Sequence, residues 1–207
     1  MGTGLIGKQP PRRARRSGPA EGRADEPLDD ALRRARAGDE TGFTELWRDL
    51  QPRLLRYLQV RSGGNYEDVA AETWLHVIRD LSSFVGNVDG FRAWLFTLAR
   101  HRAIDAARAA AARPAVPVPE ISELGHQQAA TSAEADALDH MSTERALELV
   151  RRLPRDQADM VMLRVVAGLD VPVVADIVGK SPGAVRVSVH RGLRALARDP
   201  QIRSEVV

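Results

Sequence analysis

The chain contains no cysteine. Disulfides and thiolate metal sites are therefore excluded, and the composition fits a reducing compartment, the cytoplasm. Aromatic residues make up only 4% of the chain, so its cores rest on Leu, Val and Ala. No apolar run approaches the ~20 residues of a membrane-spanning helix, and no membrane insertion is expected. Arg12, Arg13, Arg15 and Arg16 resemble a twin-arginine export signal, but no hydrophobic segment follows them. The five histidines, at 76, 101, 126, 140 and 190, show no metal-ligand spacing. A Ser/His/Asp grouping, a paired-carboxylate motif and a phosphate-cradling glycine loop are also missing, so neither an enzyme nor a cofactor is expected.

What is present is helical. Its 207 residues, 43% of them hydrophobic, suffice for one or two domains with real cores. The net charge of +2 conceals a strong segregation: residues 114–143 hold five acids and no Lys or Arg, while residues 92–113 hold five arginines and one acid. Arginine outnumbers lysine 28 to 2, a bias that fits a GC-rich genome.

Residues 1–26 are rich in Gly, Pro and Arg without apolar periodicity, which predicts a disordered basic tail. From Leu28 to Arg61, apolar residues recur three and four apart, broken once at Gly38-Asp39. Ser62-Gly63-Gly64-Asn65 is a stop, and a helix follows from about Glu67 to Leu81 with Asp68, Glu72, Leu75 and Arg79 on one face. After a loop from Ser82 to Gly90, another helix runs from about Phe91 to Arg113. It has Phe91, Trp94, Leu95 and Leu98 on one side and, further on, Arg100, Ile104 and Arg108 opposite. The segment 114–142 opens with Pro114, Pro117 and Pro119 and reads as an acidic linker, extended enough to separate two domains rather than pack them. Helices resume near Thr143, with stops before Pro154 and at Gly168. The expected architecture is all-α: two small helical domains, 27–113 and 143–207, joined by a flexible linker.

The stretch from Asp170 to Arg198 has the order of a helix-turn-helix. Asp170 can cap a first helix, with Pro172 in its first turn and Val173, Val174 and Ile177 on its buried side. Gly179 suits a left-handed helix end, and Ser181-Pro182 starts a second helix. In that second helix Val185, Val189, Leu193 and Leu196 are expected to face inward. Arg186, His190 and Arg194 fall on another face, and from Ser181 to Arg198 there are four arginines and no acid. Such a helix can approach phosphates and read base edges in a major groove. An ordinary two-helix corner with a solvated basic face would share the same pattern.

Three segments resemble the extracytoplasmic-function sigma factors, the two-domain initiation subunits of bacterial RNA polymerase. They are Tyr66-Glu67-Asp68-Val69-Ala70-Ala71-Glu72-Thr73-Trp74-Leu75, the block from Phe91 to Asp105, and Leu153-Pro154-Arg155-Asp156-Gln157 with Leu163-Arg164 and the helix-turn-helix. The likeness covers roughly residues 28–112 and 143–199, and the basic tail falls outside it. It implies a protein that binds core RNA polymerase and promoter DNA at its −10 and −35 elements, with an anti-sigma factor as a further partner. Asp68, Glu72 and Leu75 would then meet the basic coiled coil of the polymerase's largest subunit; the alternative is a pair of solvated surface acids.

The loop 82–90 would capture a flipped −10 base, with Asn87 and Asp89 at the base edge and Phe84 or Val85 packed against it, although Asn and Asp are also ordinary loop formers. Arg92, Arg100, His101, Arg102 and Arg108 would follow the melted strand. Ser181, Gly183, Arg186, Val187, His190 and Arg191 would face the −35 duplex, with Arg186 the foremost base reader; Arg164, Arg191 and Arg194 would hold phosphates. Trp74 and Trp94 belong to the core. A helix-turn-helix regulator acting apart from polymerase is the rival reading. The linker acids Glu120, Glu123, Glu134, Asp136 and Asp139 suggest an intramolecular mask over the basic helices, whose neutralisation would raise polymerase-free DNA binding.

Overall fold

A computed structural model of the chain describes residues 26–112 and 143–199. The basic tail and the linker, with the masking role suggested for its acids, lie outside the described residues. The first group of helices comprises α1 (Glu26–Arg36), α2 (Glu40–Ser62), α3 (Tyr66–Asp80) and α4 (Val88–Ala112). The second comprises α5, described over 143–151, α6 (Arg155–Val165), α7 (Val171–Val178) and α8 (Pro182–Ala197).

α2 is the axis of the first group and packs against α1, α3 and α4. Asp39 starts it by accepting a hydrogen bond from the Thr41 amide at 2.9 Å, which holds the Asp39 carboxyl below its ordinary range. Leu46, Leu50, Leu54 and Leu58 recur every four residues and are fully buried, each stabilising the fold by about 1.5–3 kcal/mol. Arg34 ties α1 to the start of α2 through Asp39 at 3.0 Å and Glu45 at 2.6 Å. Trp74 and Trp94 are both core residues. The Trp74 indole donates to Gln51 Oε1 at 2.6 Å and meets Phe43 edge-on.

In the second group the helix-turn-helix forms as its residues dictate. Gly179 ends α7 in the left-handed region, at φ 70° and ψ 37°, where a side chain would be strained. Ser181 caps α8 by accepting from the Ala184 amide at 3.2 Å, with Pro182 as first residue of the helix. Two expectations are corrected. Asp170 makes no side-chain cap on α7. Leu193 is 43% exposed, and Gly192 is buried in its place. The inward positions run Val185, Val189, Gly192 and Leu196, a stripe that bends by one residue where α8 crosses α6. There a Cβ on Gly192 would stand 2.7 Å from Val161 Cγ2.

The expected separation of the two groups is also overturned. α6 packs against α2, and buried residues from both groups form one continuous cluster. At the junction Tyr57 donates its hydroxyl hydrogen to Asp159 Oδ1 at 2.7 Å, and Arg100 Nε donates to Asp159 Oδ2 at 2.9 Å. Arg151 Nε adds a bond to the Gln59 carbonyl at 3.3 Å. The proline content of a connecting segment bears on how far apart two bodies can reach, not on whether they touch.

Candidate nucleic-acid interface

α8 presents two unlike sides. Val185 and Val189 anchor the inner side, and Gln157 of α6 fixes it by donating Nε2 to the Ser188 carbonyl at 3.1 Å. The outer side carries Arg186, Val187, His190, Arg191 and Arg194, all exposed, with Ser181 and Gly183 exposed at its N-terminal end. A Cβ on Gly183 would meet nothing within 4 Å, so this end is open to close approach by a bulky partner. Cationic side chains, an apolar side chain and uncovered helix N–H groups on one open face match the geometry of a major-groove reader. Arg164 is placed differently from expectation. Its Nη1 donates to the Leu169 carbonyl at 3.2 Å and closes the turn between α6 and α7.

The residues read as a −10 reader are not brought to one surface. Phe84 is buried, stacked on Trp94 at 5.2 Å and edge-on to Phe91 at 5.6 Å. Of the two apolar candidates in this loop, only Val85 is exposed. Asn87 is exposed, and its Oδ1 accepts from the Gly90 amide at 3.1 Å as the first turn of α4 forms. Asp89 pairs with Arg92 at 3.0 Å, and Arg92 is only 8% exposed.

Arg100 is turned toward Asp159, as described above. His101 is exposed. Arg102 lies 3.1 Å from His76 Nδ1. Burial first, then the positive charge of Arg79, lowers the pKa of His76 and so favours its neutral ring. Arg108 is exposed, 3.7 Å from Asp105.

On α3, Asp68, Glu72 and Leu75 are exposed along one face, as their spacing requires. Leu75 is 67% exposed and Ile78, three residues on, is 55% exposed. Ile78 extends the apolar edge of the acidic face.

Sequence reasoning missed the residues that act across long separations. Asp29 of α1 accepts from the Val88 amide at 2.6 Å and so caps α4 from another helix. Tyr57, Arg61 and Asp159 form the junction between the groups. The only local signal for Asp159 was an acid among the inward positions of an amphipathic helix.

Comparison with known proteins places this geometry in a class. Residues 46–113 match Sigma-70 region 2, and residues 143–196 match Sigma-70, region 4. The chain is 36% identical over 182 residues to the ECF RNA polymerase sigma factor SigD of Mycobacterium tuberculosis, covering 83% of this chain and 82% of that one. It is 33% identical over 169 residues to the ECF RNA polymerase sigma factor BldN of Streptomyces coelicolor, covering 81% of this chain and 63% of that one. Among solved structures, CnrH in complex with the cytosolic domain of CnrY shares the fold, with a TM-score of 0.55, 18% identity and coverage of 83% and 96%. The sigma factor RpoE in complex with the anti-sigma factor NepR from Bartonella quintana does so at a TM-score of 0.53, with 18% identity and coverage of 74% and 93%.

The chain belongs to the extracytoplasmic-function sigma factors. It is a non-enzymatic subunit of RNA polymerase that directs promoter recognition, which removes the reading as a regulator acting apart from polymerase. Among the described residues no helix is long and apolar enough to cross a membrane.

Proposed function

We propose that this sigma factor works in the cytoplasm through three surfaces. The exposed face of α3, with Asp68, Glu72 and Leu75, docks on core RNA polymerase, and Ile78 widens the apolar part of that contact. The start of α4 and the loop before it, with Asn87 and Asp89 and then Arg100, His101, Arg102 and Arg108, engage the −10 element, and the buried Arg92 braces that helix start through Asp89. The outer side of α8, with Ser181, Gly183, Arg186, Val187, His190, Arg191 and Arg194, engages the −35 duplex. The observation that carries this reading is the undivided exposure of the α8 face on a helix capped by Ser181 and backed by α6. An anti-sigma factor is a further partner. Two solved structures with this fold hold such a protein, or a cytosolic domain, as their second chain.

Transcription in vitro tests the reading. Purified chain and core polymerase on a promoter library should yield defined start sites sharing two elements. Start sites that do not depend on the chain, or none at all, would refute it.

A further inference from the structure

The face of α2 and α4 that meets α6 holds more donors than the carboxylate there uses. Asp159 is 5% exposed and takes one hydrogen bond on each oxygen, from Tyr57 and Arg100. Arg61 stands beside them, its side chain 10% exposed and its Nε 3.7 Å from Asp159 Oδ1. Its Nε and Nη1 are buried and have no hydrogen-bond partner among the described residues. Burying guanidinium donors without acceptors is costly, so their presence points to an acceptor richer than a carboxylate. The adjoining cleft, about 180 Å³, is also edged by Arg151 and Arg155. Asp159 therefore faces Arg61 and Arg100 at close range, with Arg155 and the Glu148-paired Arg151 at the rim. A phosphodiester is tetrahedral and presents oxygens in several directions, and guanidinium forks match phosphate well.

We propose that Tyr57, Arg61 and Arg100 form a phosphate-binding socket for the promoter backbone, which Asp159 fills as a substitute anion while the two helical groups are packed together. α6 and nucleic acid then compete for one place. The inference rests on the promoter-binding reading for Arg100 and adds to it the two α2 residues and the internal competitor.

The test uses the full chain and a labelled single-stranded DNA oligonucleotide. Asp159→Asn keeps the shape of the side chain and removes its charge, and should tighten oligonucleotide binding roughly tenfold. Asp156→Asn removes the same charge from the exposed side of α6, where Asp156 faces Lys180, and should leave binding unchanged. In the Asp159→Asn background, Arg61→Gln should weaken binding and flatten the log–log salt slope by about 0.7, the signature of one lost single-strand phosphate contact. Tyr57→Phe, which removes only a hydroxyl, should weaken it less.

Because the chain has no cysteine, dyes on Ala37→Cys and Ala195→Cys report the distance between the groups. Saturating oligonucleotide should lengthen it in the wild type. If Asp159→Asn lengthens that distance while Arg61→Gln leaves affinity and slope untouched, the socket is overturned. If Asp156→Asn tightens binding as much as Asp159→Asn does, the competition is overturned. If the wild-type chain directs initiation with core polymerase yet Asp159→Asn changes nothing, this inference fails and the promoter reading stands. If the wild type directs no initiation, both fall.

Discussion

Arg186 and Arg100 place the same guanidinium in opposite surroundings. Arg186 stands exposed on the outer side of α8, with no hydrogen bond or ion pair among the described residues. Arg100 is bonded to the buried Asp159, 59 residues away in the chain. Arg186→Ala should cost about 1–3 kcal/mol of −35 binding and relax the preference at one base pair. Competition binding against duplexes mutated one position at a time measures this; a uniform loss at every position would instead mark Arg186 as a phosphate contact. The exposure of Arg186, His190 and Arg194 was legible in the sequence because a four-residue period puts them on one side of a helix whose other side is apolar. The partner of Arg100 was not, because hydrogen bonding across 59 residues leaves no local pattern. Arg92 shows the same limit: its position in a basic segment suggested DNA, while its burial beside Asp89 follows from packing.

Helices were legible as elements, and their registers nearly so. The stops at Gly63, Pro154 and Gly179 and the cap at Ser181 are local chemistry, and each lies where its residue type favours it. The register of α8 departs by one residue because Gly192, not Leu193, meets Val161. Hydrophobicity alone ranks leucine inside and glycine as neutral; close crossing of two helices reverses that order. Gly192→Ala gains helix propensity of up to about 1 kcal/mol, but forces Val161 aside. A net destabilisation of about 1–3 kcal/mol is expected, read by thermal unfolding. A more stable variant would show that α6 and α8 separate easily. On α3, the double substitution Asp68→Asn with Glu72→Gln should weaken core-polymerase binding about tenfold at low salt, with the deficit shrinking as salt rises. Equal affinity across the salt range would leave the two acids as solvated surface groups.

For the molecule as a whole, the junction at Asp159 makes the packing of the groups sensitive to alkali. Burial first, then the negative charge of Asp159 and the hydrogen bond to it, hold the Tyr57 hydroxyl well above its ordinary value of 10.0. The unfolded chain ionises Tyr57 near that ordinary value, whereas the folded one keeps it protonated. The stability this provides is complete below about pH 10 and is lost as pH climbs from there toward the folded value. Thermal unfolding followed from pH 8 to 11 should therefore decline less steeply for Tyr57→Phe than for the wild type; parallel curves would place the alkaline sensitivity elsewhere. The two-group plan was legible because composition changes sharply at residue 114 and again at 143. The contact between the groups was not, since it depends on one acid of α6 meeting two arginines and a tyrosine from distant turns of α2 and α4. The outer side of α8 stays uncovered while Arg100 is held inward. On the proposed reading, this asymmetry would give promoter engagement an order in time. The double-stranded upstream contact would be available from the first encounter, and grip on the opened strand would wait until the halves of the protein part.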